Sequence, residues 1–292
     1  MVILRLSRMR LAQVAIDNFD LAQTLDSGQV FHWERHANGY AGTIKDTGVY
    51  VEQRGNRLFF AGATPSLIQR YFSLDHPLRQ ICQSFPNDPV MRGATAFCRG
   101  LRIIRQPSWE CLATFITSSM KQVAHIRQMS HALRERFGKP LTICGLQVHT
   151  FPSAERIAAL NEKELRECAL GYRAKYLLET ARFVGSGTIN LEQWSELSDE
   201  SLRNSLCQLP GVGAKVANCV MLFAYERLRA FPIDVWIERV LRQQYFPKKR
   251  KMTTRDRRAF CDAYFGPYGG YAQQYLFHHA RKGGVGGKGD AK

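Results

Sequence analysis

With 292 residues, 45% of them hydrophobic, the chain can bury a sizeable core and has room for two or three subdomains. Forty-one Lys and Arg against 25 Asp and Glu leave a net charge of +16, which suits a polyanionic partner. Met1-Val-Ile-Leu-Arg-Leu-Ser-Arg8 is broken by charge too early for a secretory signal, no apolar run reaches the ~18 residues of a membrane span, and the eight cysteines contain no C-x-x-C pair that would suggest zinc or an iron–sulfur cluster.

In chain order, residues 1–62 read as β-rich. Gln29–Trp33, Tyr40–Ile44, Val49–Gln53 and Arg57–Phe60 are short strand-forming runs, with turns at Asp46-Thr-Gly48 and Arg54-Gly-Asn56. Thr64-Pro65 predicts a helix start, the threonine as cap and the proline in the first turn. From Asp88-Pro89 onward the pattern is helical almost throughout, broken at Gly100, Gly138-Lys-Pro140 and Gly185-Ser-Gly187. The fold class is therefore α+β: an N-terminal antiparallel β-sheet domain with flanking helices over 1–87, then a mostly α-helical domain, read as all-α, over 88–280. Residues 281–292 hold five glycines in twelve and no core pattern, so they read as a disordered basic tail. Pro247-Lys-Lys-Arg-Lys251 reads as a solvated loop or a phosphate-facing patch.

The most informative string is Leu209-Pro-Gly-Val-Gly-Ala-Lys215, followed nineteen residues later by Asp234 in Phe231-Pro-Ile-Asp-Val-Trp236. Glu200–Cys207 predicts a short helix capped by Ser198 or Asp199. Gly211 and Gly213 let the chain reverse, and Ala214–Tyr225 carries Val216, Ala217, Val220, Met221 and Ala224 at helical spacing. The free N–H groups at the start of that second helix make a seat for a phosphate oxygen. Lys215 falls in the same first turn, where the helix dipole opposes an ammonium and so favours the free amine that nucleophilic attack requires. Asp234 precedes Val235-Trp-Ile-Glu-Arg-Val-Leu241 as an N-cap, which would hold its carboxylate rigid. On the residues alone the hairpin can simply pack, Lys215 can be a phosphate-binding cation, and Asp234 can be a cap and nothing more.

At these residues the chain resembles the helix-hairpin-helix (HhH-GPD) DNA glycosylases, and within them the 8-oxoguanine DNA glycosylase/AP lyases. Ser27-Gly-Gln-Val-Phe-His-Trp33 resembles the family's N-terminal signature. Gly100-Leu-Arg-Ile-Ile-Arg-Gln106 with Glu110-Cys-Leu112, Leu170-Gly-Tyr-Arg-Ala-Lys175 and Gly266-Pro-Tyr-Gly-Gly-Tyr-Ala-Gln273 extend the likeness from about Phe19 to Phe277. The resemblance implies excision of 8-oxoguanine and of formamidopyrimidine from double-stranded DNA, with no cofactor and no metal. It implies a monomer found with the DNA, in the nucleoid of a prokaryote or the nucleus of a eukaryote. Lys215 would attack C1′, and Asp234 would stabilise the positive charge that develops. An amine nucleophile leaves a Schiff base, so a lyase step would follow the excision. The Gly28 carbonyl would accept the N7 hydrogen that marks 8-oxoguanine, Cys219 and Phe277 would sandwich the extruded base, and Gln273 would bond its Watson–Crick edge. Gly211, Val212 and Gly213 would hold phosphate through their backbone. Tyr172 would wedge into the duplex and Arg173 would bond the base opposite the lesion. Without the resemblance, Gly28 reads as a hairpin glycine, and Cys219 and Phe277 as core residues on helix faces.

The departures fall on one function. Where the family carries Ser-Ser-Asn-Asn-Asn, this chain reads Ser118-Ser-Met-Lys-Gln122. Met120 takes the place of an asparagine that fills the vacated space, His125 that of an arginine that grips the opposite cytosine, and Trp236 that of a histidine after the Asp. The chemistry is expected to survive and opposite-base discrimination to relax. Two rivals stand beside this reading: a glycosylase for another oxidised base, and a non-catalytic DNA-binding protein that uses the hairpin only as a clamp.

Overall fold

In a computed structural model the described residues are 11–119, 121–247 and 253–283. Their first part is a five-stranded antiparallel sheet, order β1-β5-β4-β3-β2, made of β1 (Ala12–Ala15), β2 (Glu34–His36), β3 (Gly39–Ile44), β4 (Thr47–Arg54) and β5 (Arg57–Ala61). Register is fixed by paired apolar residues, with Val51 of the central strand opposite Tyr40 on one side and Phe60 on the other. One face of the sheet closes over Leu25, Trp33, Ile68 and Phe72. Ile68 and Phe72 belong to or follow the helix Pro65–Tyr71, which Thr64 caps by accepting from the Leu67 N–H as the sequence predicts.

Two expectations about this region need correction. Gln29–Trp33 is not a strand, because the Gln29 side chain is fully consumed as a buried cross-link. It donates to the carbonyls of Thr24 and Arg102 and accepts from the Ile104 N–H, which leaves the segment an irregular strap. The turn expected at Asp46-Thr-Gly48 sits one step earlier, at Lys45 with φ +53°, so Thr47 and Gly48 already lie in β4. The edge strand β1 and the short helix Leu21–Asp26 carry too few apolar residues to announce themselves by period.

Residues 88–283 are mainly helical, and Asp88 caps the first helix, Pro89–Phe97, through the Met91 N–H. The all-α expectation fails at one place. β6 (Pro140–Ile143) and β7 (Leu146–His149) form a hairpin where the sequence reading had only a break. Cys144 (φ +53°) and Gly145 (φ +79°) supply the left-handed pair that a two-residue turn needs. Ile143 and Cys144 then pack on Tyr50, covering the second face of the sheet. Sheet and helices are also joined by charge: buried Arg134 donates to Thr43 Oγ1 at 2.9 Å, to the His149 carbonyl at 3.1 Å and to buried Glu110. Burial pushes the Glu110 carboxyl up, opposed by the charge and the hydrogen bond of Arg134.

Candidate active site

The hairpin is built as its sequence requires. The helix Asp199–Cys207 is capped by Ser198, whose side chain accepts from the Ser201 N–H, and Leu209 and Val212 anchor the turn in the helical core. Gly211 has φ +76°, and a Cβ there would come within 2.8 Å of the Tyr176 Cβ, so both conformation and space demand glycine. Gly213 differs from expectation: its backbone is extended (φ −95°, ψ 179°) and a Cβ would meet nothing within 4 Å. The missing side chain leaves the start of the next helix, Ala214–Phe223, without any side-chain cap. Its first N–H groups are thus available to a ligand. The Val212 N–H is already given to the Leu209 carbonyl at 3.1 Å.

Eight of the sequence-predicted residues, from four separated segments, line one cleft of about 1040 Å³: Gly28, Gly211, Gly213, Lys215, Cys219, Asp234, Gln273 and Phe277. Lys215 and Cys219 lie one turn apart on Ala214–Phe223, so their side chains leave the same face. The Lys215 amine meets Ser118 Oγ at 3.3 Å and sits 5.3 Å above the Phe115 ring. Asp234 caps the helix Val235–Val240 by accepting from the Ile237 N–H at 2.9 Å. Burial raises its carboxyl above the ordinary range, opposed by that N–H and by the charge of Lys215. Burial likewise lifts the Cys219 thiol to about 11, so a neutral sulfur faces the cleft at neutral pH.

Gln273 and Phe277 come from the helix Gly269–Arg281, again one turn apart. Gln273 is 4% exposed and its Oε1 has no hydrogen-bond partner among the described residues. A buried acceptor without a partner costs stability unless a ligand completes it. Gln274 next to it donates to the Ser27 carbonyl at 3.1 Å, which docks this helix on the Gly28 segment. Gly28 has φ +87°, and a Cβ would stand 3.1 Å from Phe277 Cε1. Arg281 stacks its guanidinium 5.7 Å from the Phe277 ring centre and donates to the Asp26 carbonyl at 2.5 Å, closing that corner.

Of the expected opposite-strand residues, Tyr172, Arg173 and His125 lie outside this cleft wall. Tyr172 is 51% exposed at the start of the helix Arg173–Gly185. Arg173 is turned inward: it is 4% exposed, its Nε donates to the Ser119 carbonyl at 2.8 Å and its Nη2 to the same oxygen. His125 is exposed in the first turn of Val123–Phe137, and Met120 lies outside the described residues, as do residues 248–251 of the basic string and 284–292 of the tail. Sequence reasoning missed Ser118, Phe115 and Arg281 as parts of the cleft. Only the fold brings Phe115 and Ser118 to the lysine, ninety-seven residues away along the chain in the case of Ser118. Among the described residues no cluster of His, Cys, Asp and Glu could hold a metal ion, and no helix is long and apolar enough to cross a membrane.

The 8-oxoguanine DNA glycosylase N-terminal domain family matches residues 12–112, and the HhH-GPD superfamily of base excision DNA repair proteins matches residues 113–262. The N-glycosylase/DNA lyase OGG1 of Arabidopsis thaliana is 30% identical, over 88% of this chain and 76% of the plant protein. The N-glycosylase/DNA lyase of Saccharomyces cerevisiae is 31% identical, over 77% of this chain and 68% of the yeast protein. In solved structures, the Clostridium acetobutylicum 8-oxoguanine glycosylase/lyase bound to double-stranded DNA with cytosine opposite 8-oxoguanine superposes with a TM-score of 0.87. That match has 30% identity and covers 95% of this chain and 99% of the other.

Proposed function

Because the chain belongs to the HhH-GPD superfamily of base excision DNA repair proteins and carries the 8-oxoguanine DNA glycosylase N-terminal domain, we propose how its own residues divide the work of that activity. It is an 8-oxoguanine N-glycosylase/DNA lyase that acts on double-stranded DNA. The glycosidic carbon is shielded in the stacked duplex, so the nucleotide must be turned out, at a cost of a few kcal/mol. The uncapped start of Ala214–Phe223 and the backbone N–H groups of Gly211 and Gly213 offset part of that cost by holding phosphate. Tyr172, exposed beside the hairpin, fills the stack.

The extruded base lies between Cys219 and Phe277. The Gly28 carbonyl accepts the N7–H of 8-oxoguanine, a hydrogen that guanine lacks, and Gln273 completes its orphan acceptor with the N–H groups of the Watson–Crick edge. The free amine of Lys215 attacks C1′ as the C1′–N9 bond breaks and its electron pair leaves with the base. The carboxylate of Asp234 stabilises the positive charge on the sugar. Sugar opening gives a Schiff base on Lys215. Loss of a C2′ proton then expels the 3′ phosphate and cuts the strand.

The observation that carries this reading is the convergence of Lys215, Asp234 and an unsatisfied Gln273 on one cleft. Formamidopyrimidine lesions fit the same pocket, and the place of action is wherever the cell keeps its DNA. Borohydride trapping on duplexes of defined lesion tests the assignment. A covalent adduct on 8-oxoguanine DNA that disappears in Lys215→Gln is expected; an adduct that survives that substitution would overturn it.

A further inference from the structure

Resting on the assignment of Lys215 as nucleophile, we infer that Ser118 is its positioning residue, a hydroxyl locked as an acceptor so that the amine lone pair stays free for the sugar. Ser118 is the residue that ends the helix Ser108–Thr117, and it is 5% exposed. Its hydroxyl donates to the Phe115 carbonyl at 2.9 Å, and Lys215 Nζ stands 3.3 Å from the same oxygen. The single hydroxyl hydrogen is therefore committed. Toward the lysine Ser118 offers only a lone pair, so the contact engages an N–H of the amine and cannot engage its nitrogen lone pair. A hydroxyl free to rotate would donate to the neutral amine and mask the electrons that must reach C1′. A carboxylate in its place would hold the lysine as an ammonium.

The remaining contacts fit the same role. Phe115 offers the amine a ring face at 5.3 Å and is itself fixed by stacking on Phe223, with centroids 5.4 Å apart. Among the described residues Nζ meets no carboxylate at ion-pair distance. The turn that carries Ser118 is pinned from the other side by Arg173, through the Ser119 carbonyl at 2.8 Å. The lysine stem is long and flexible, and one fixed acceptor at its tip restricts where the nitrogen lies. Positioning of this kind is worth roughly 10- to 100-fold in rate.

The test compares Ser118→Ala, Ser118→Cys and Ser118→Thr with Lys215→Gln in three measurements: single-turnover excision on 8-oxoguanine DNA, borohydride trapping on a ready-made abasic site, and duplex affinity. The alanine and cysteine variants, the latter close to serine in size but a poor acceptor, are expected to lose roughly 10- to 100-fold in excision and trapping rate with affinity changed less than about threefold. Threonine, which keeps the hydroxyl, is expected to restore most of the rate. Rates of the cysteine or alanine variant within about threefold of wild type, or a threonine variant as slow as alanine, would overturn the inference. Failure of the underlying assignment is separate: it would show as trapping that persists in Lys215→Gln.

Discussion

Gln273, Cys219, Gly28 and Asp234 are held in place before any DNA arrives, whereas Tyr172, Arg173 and His125, which we propose meet the other strand, are exposed or turned away. On the lesion side Asp234 is fixed by the Ile237 N–H, Lys215 Nζ meets Ser118 Oγ, and Gln273 Oε1 is buried without a partner among the described residues. On the opposite side Arg173 gives Nε and Nη2 to the Ser119 carbonyl and Nη1 to the Leu170 carbonyl. Reading a base with this guanidinium requires breaking a buried charge-assisted hydrogen bond, worth roughly 1.5–3 kcal/mol. On the proposed assignment one side is preorganised and the other has to rearrange, and the rearrangement would consume binding energy that could otherwise discriminate.

The largest effect is expected where the preorganised side does its chemistry. Lys215→Gln should abolish borohydride trapping and lower excision by roughly 10⁴-fold or more, while lesion-duplex binding stays near wild type. Residual excision close to the wild-type rate would mean that the nucleophile is elsewhere. Asp234→Asn comes next, at roughly 10²–10³-fold in single-turnover rate. Asparagine keeps an acceptor for the Ile237 N–H, so the helix cap survives and the melting temperature should hold. The sign for pH follows from burial. The folded carboxyl is raised, so the active carboxylate is lost as pH falls through a point above the ordinary aspartate range, and excision acquires an acidic limb there. The same shift means that the folded state binds this proton more tightly than the unfolded chain does. Ionised Asp234 therefore costs stability at neutral pH, and the asparagine variant should melt no lower than wild type. A rate profile flat down to the ordinary carboxylate range would remove Asp234 from the chemical step.

Gly28→Ala probes selectivity on the same side. At φ +87°, with Phe277 Cε1 3.1 Å from the new Cβ, the variant must shift the carbonyl or the ring. Excision of 8-oxoguanine should fall roughly tenfold or more, as expected for one lost polar contact. Formamidopyrimidine lesions, which lack the closed imidazole ring, should be less affected. Equal losses on both substrates, with an unchanged melting curve, would argue that the carbonyl does not sense the N7 hydrogen.

The two sides were also unequally legible in the sequence. The hairpin, Lys215 and Asp234 are local devices: glycines, a first-turn lysine and a cap, each readable from neighbours within a few residues. Gly28, Cys219, Gln273 and Phe277 carry no such mark and became candidates only through resemblance, since a cysteine or phenylalanine on an apolar helix face reads first as core. Ser118 escaped because its meaning depends on a contact across ninety-seven positions. The hairpin Pro140–His149 was lost because Cys144, a residue with no preference for the left-handed region, carries half of its turn. The inward turn of Arg173 could not be read at all: a guanidinium at a helix start looks solvent-facing until the fold puts the Ser119 carbonyl within reach.

The smallest and most diagnostic effect lies on the opposite side. Strict choice of cytosine needs donors aimed at its acceptor edge, each good polar contact being worth roughly 1–3 kcal/mol. Arg173 supplies such a donor only after releasing Ser119, and His125 is exposed and shorter than arginine, with two ring nitrogens in place of five N–H donors. Met120 offers flexible apolar packing but none of an asparagine's hydrogen bonds. Excision of 8-oxoguanine is therefore expected opposite all four bases, with cytosine favoured by roughly tenfold or less. Single-turnover rates on four duplexes differing only in that base measure it. A cytosine preference of about a hundredfold or more would mean that Arg173 swings out at little cost and that the contrast between the two sides is false. His125→Arg, which adds a planar fork where the surface is already exposed, should sharpen the preference by roughly 3- to 10-fold without changing the rate opposite cytosine much. If it does not, the limit lies with Arg173. Ser119 cannot be edited at its backbone, so Arg173→Lys, which cannot chelate that carbonyl with two N–H groups, becomes the variant that tells release from reach.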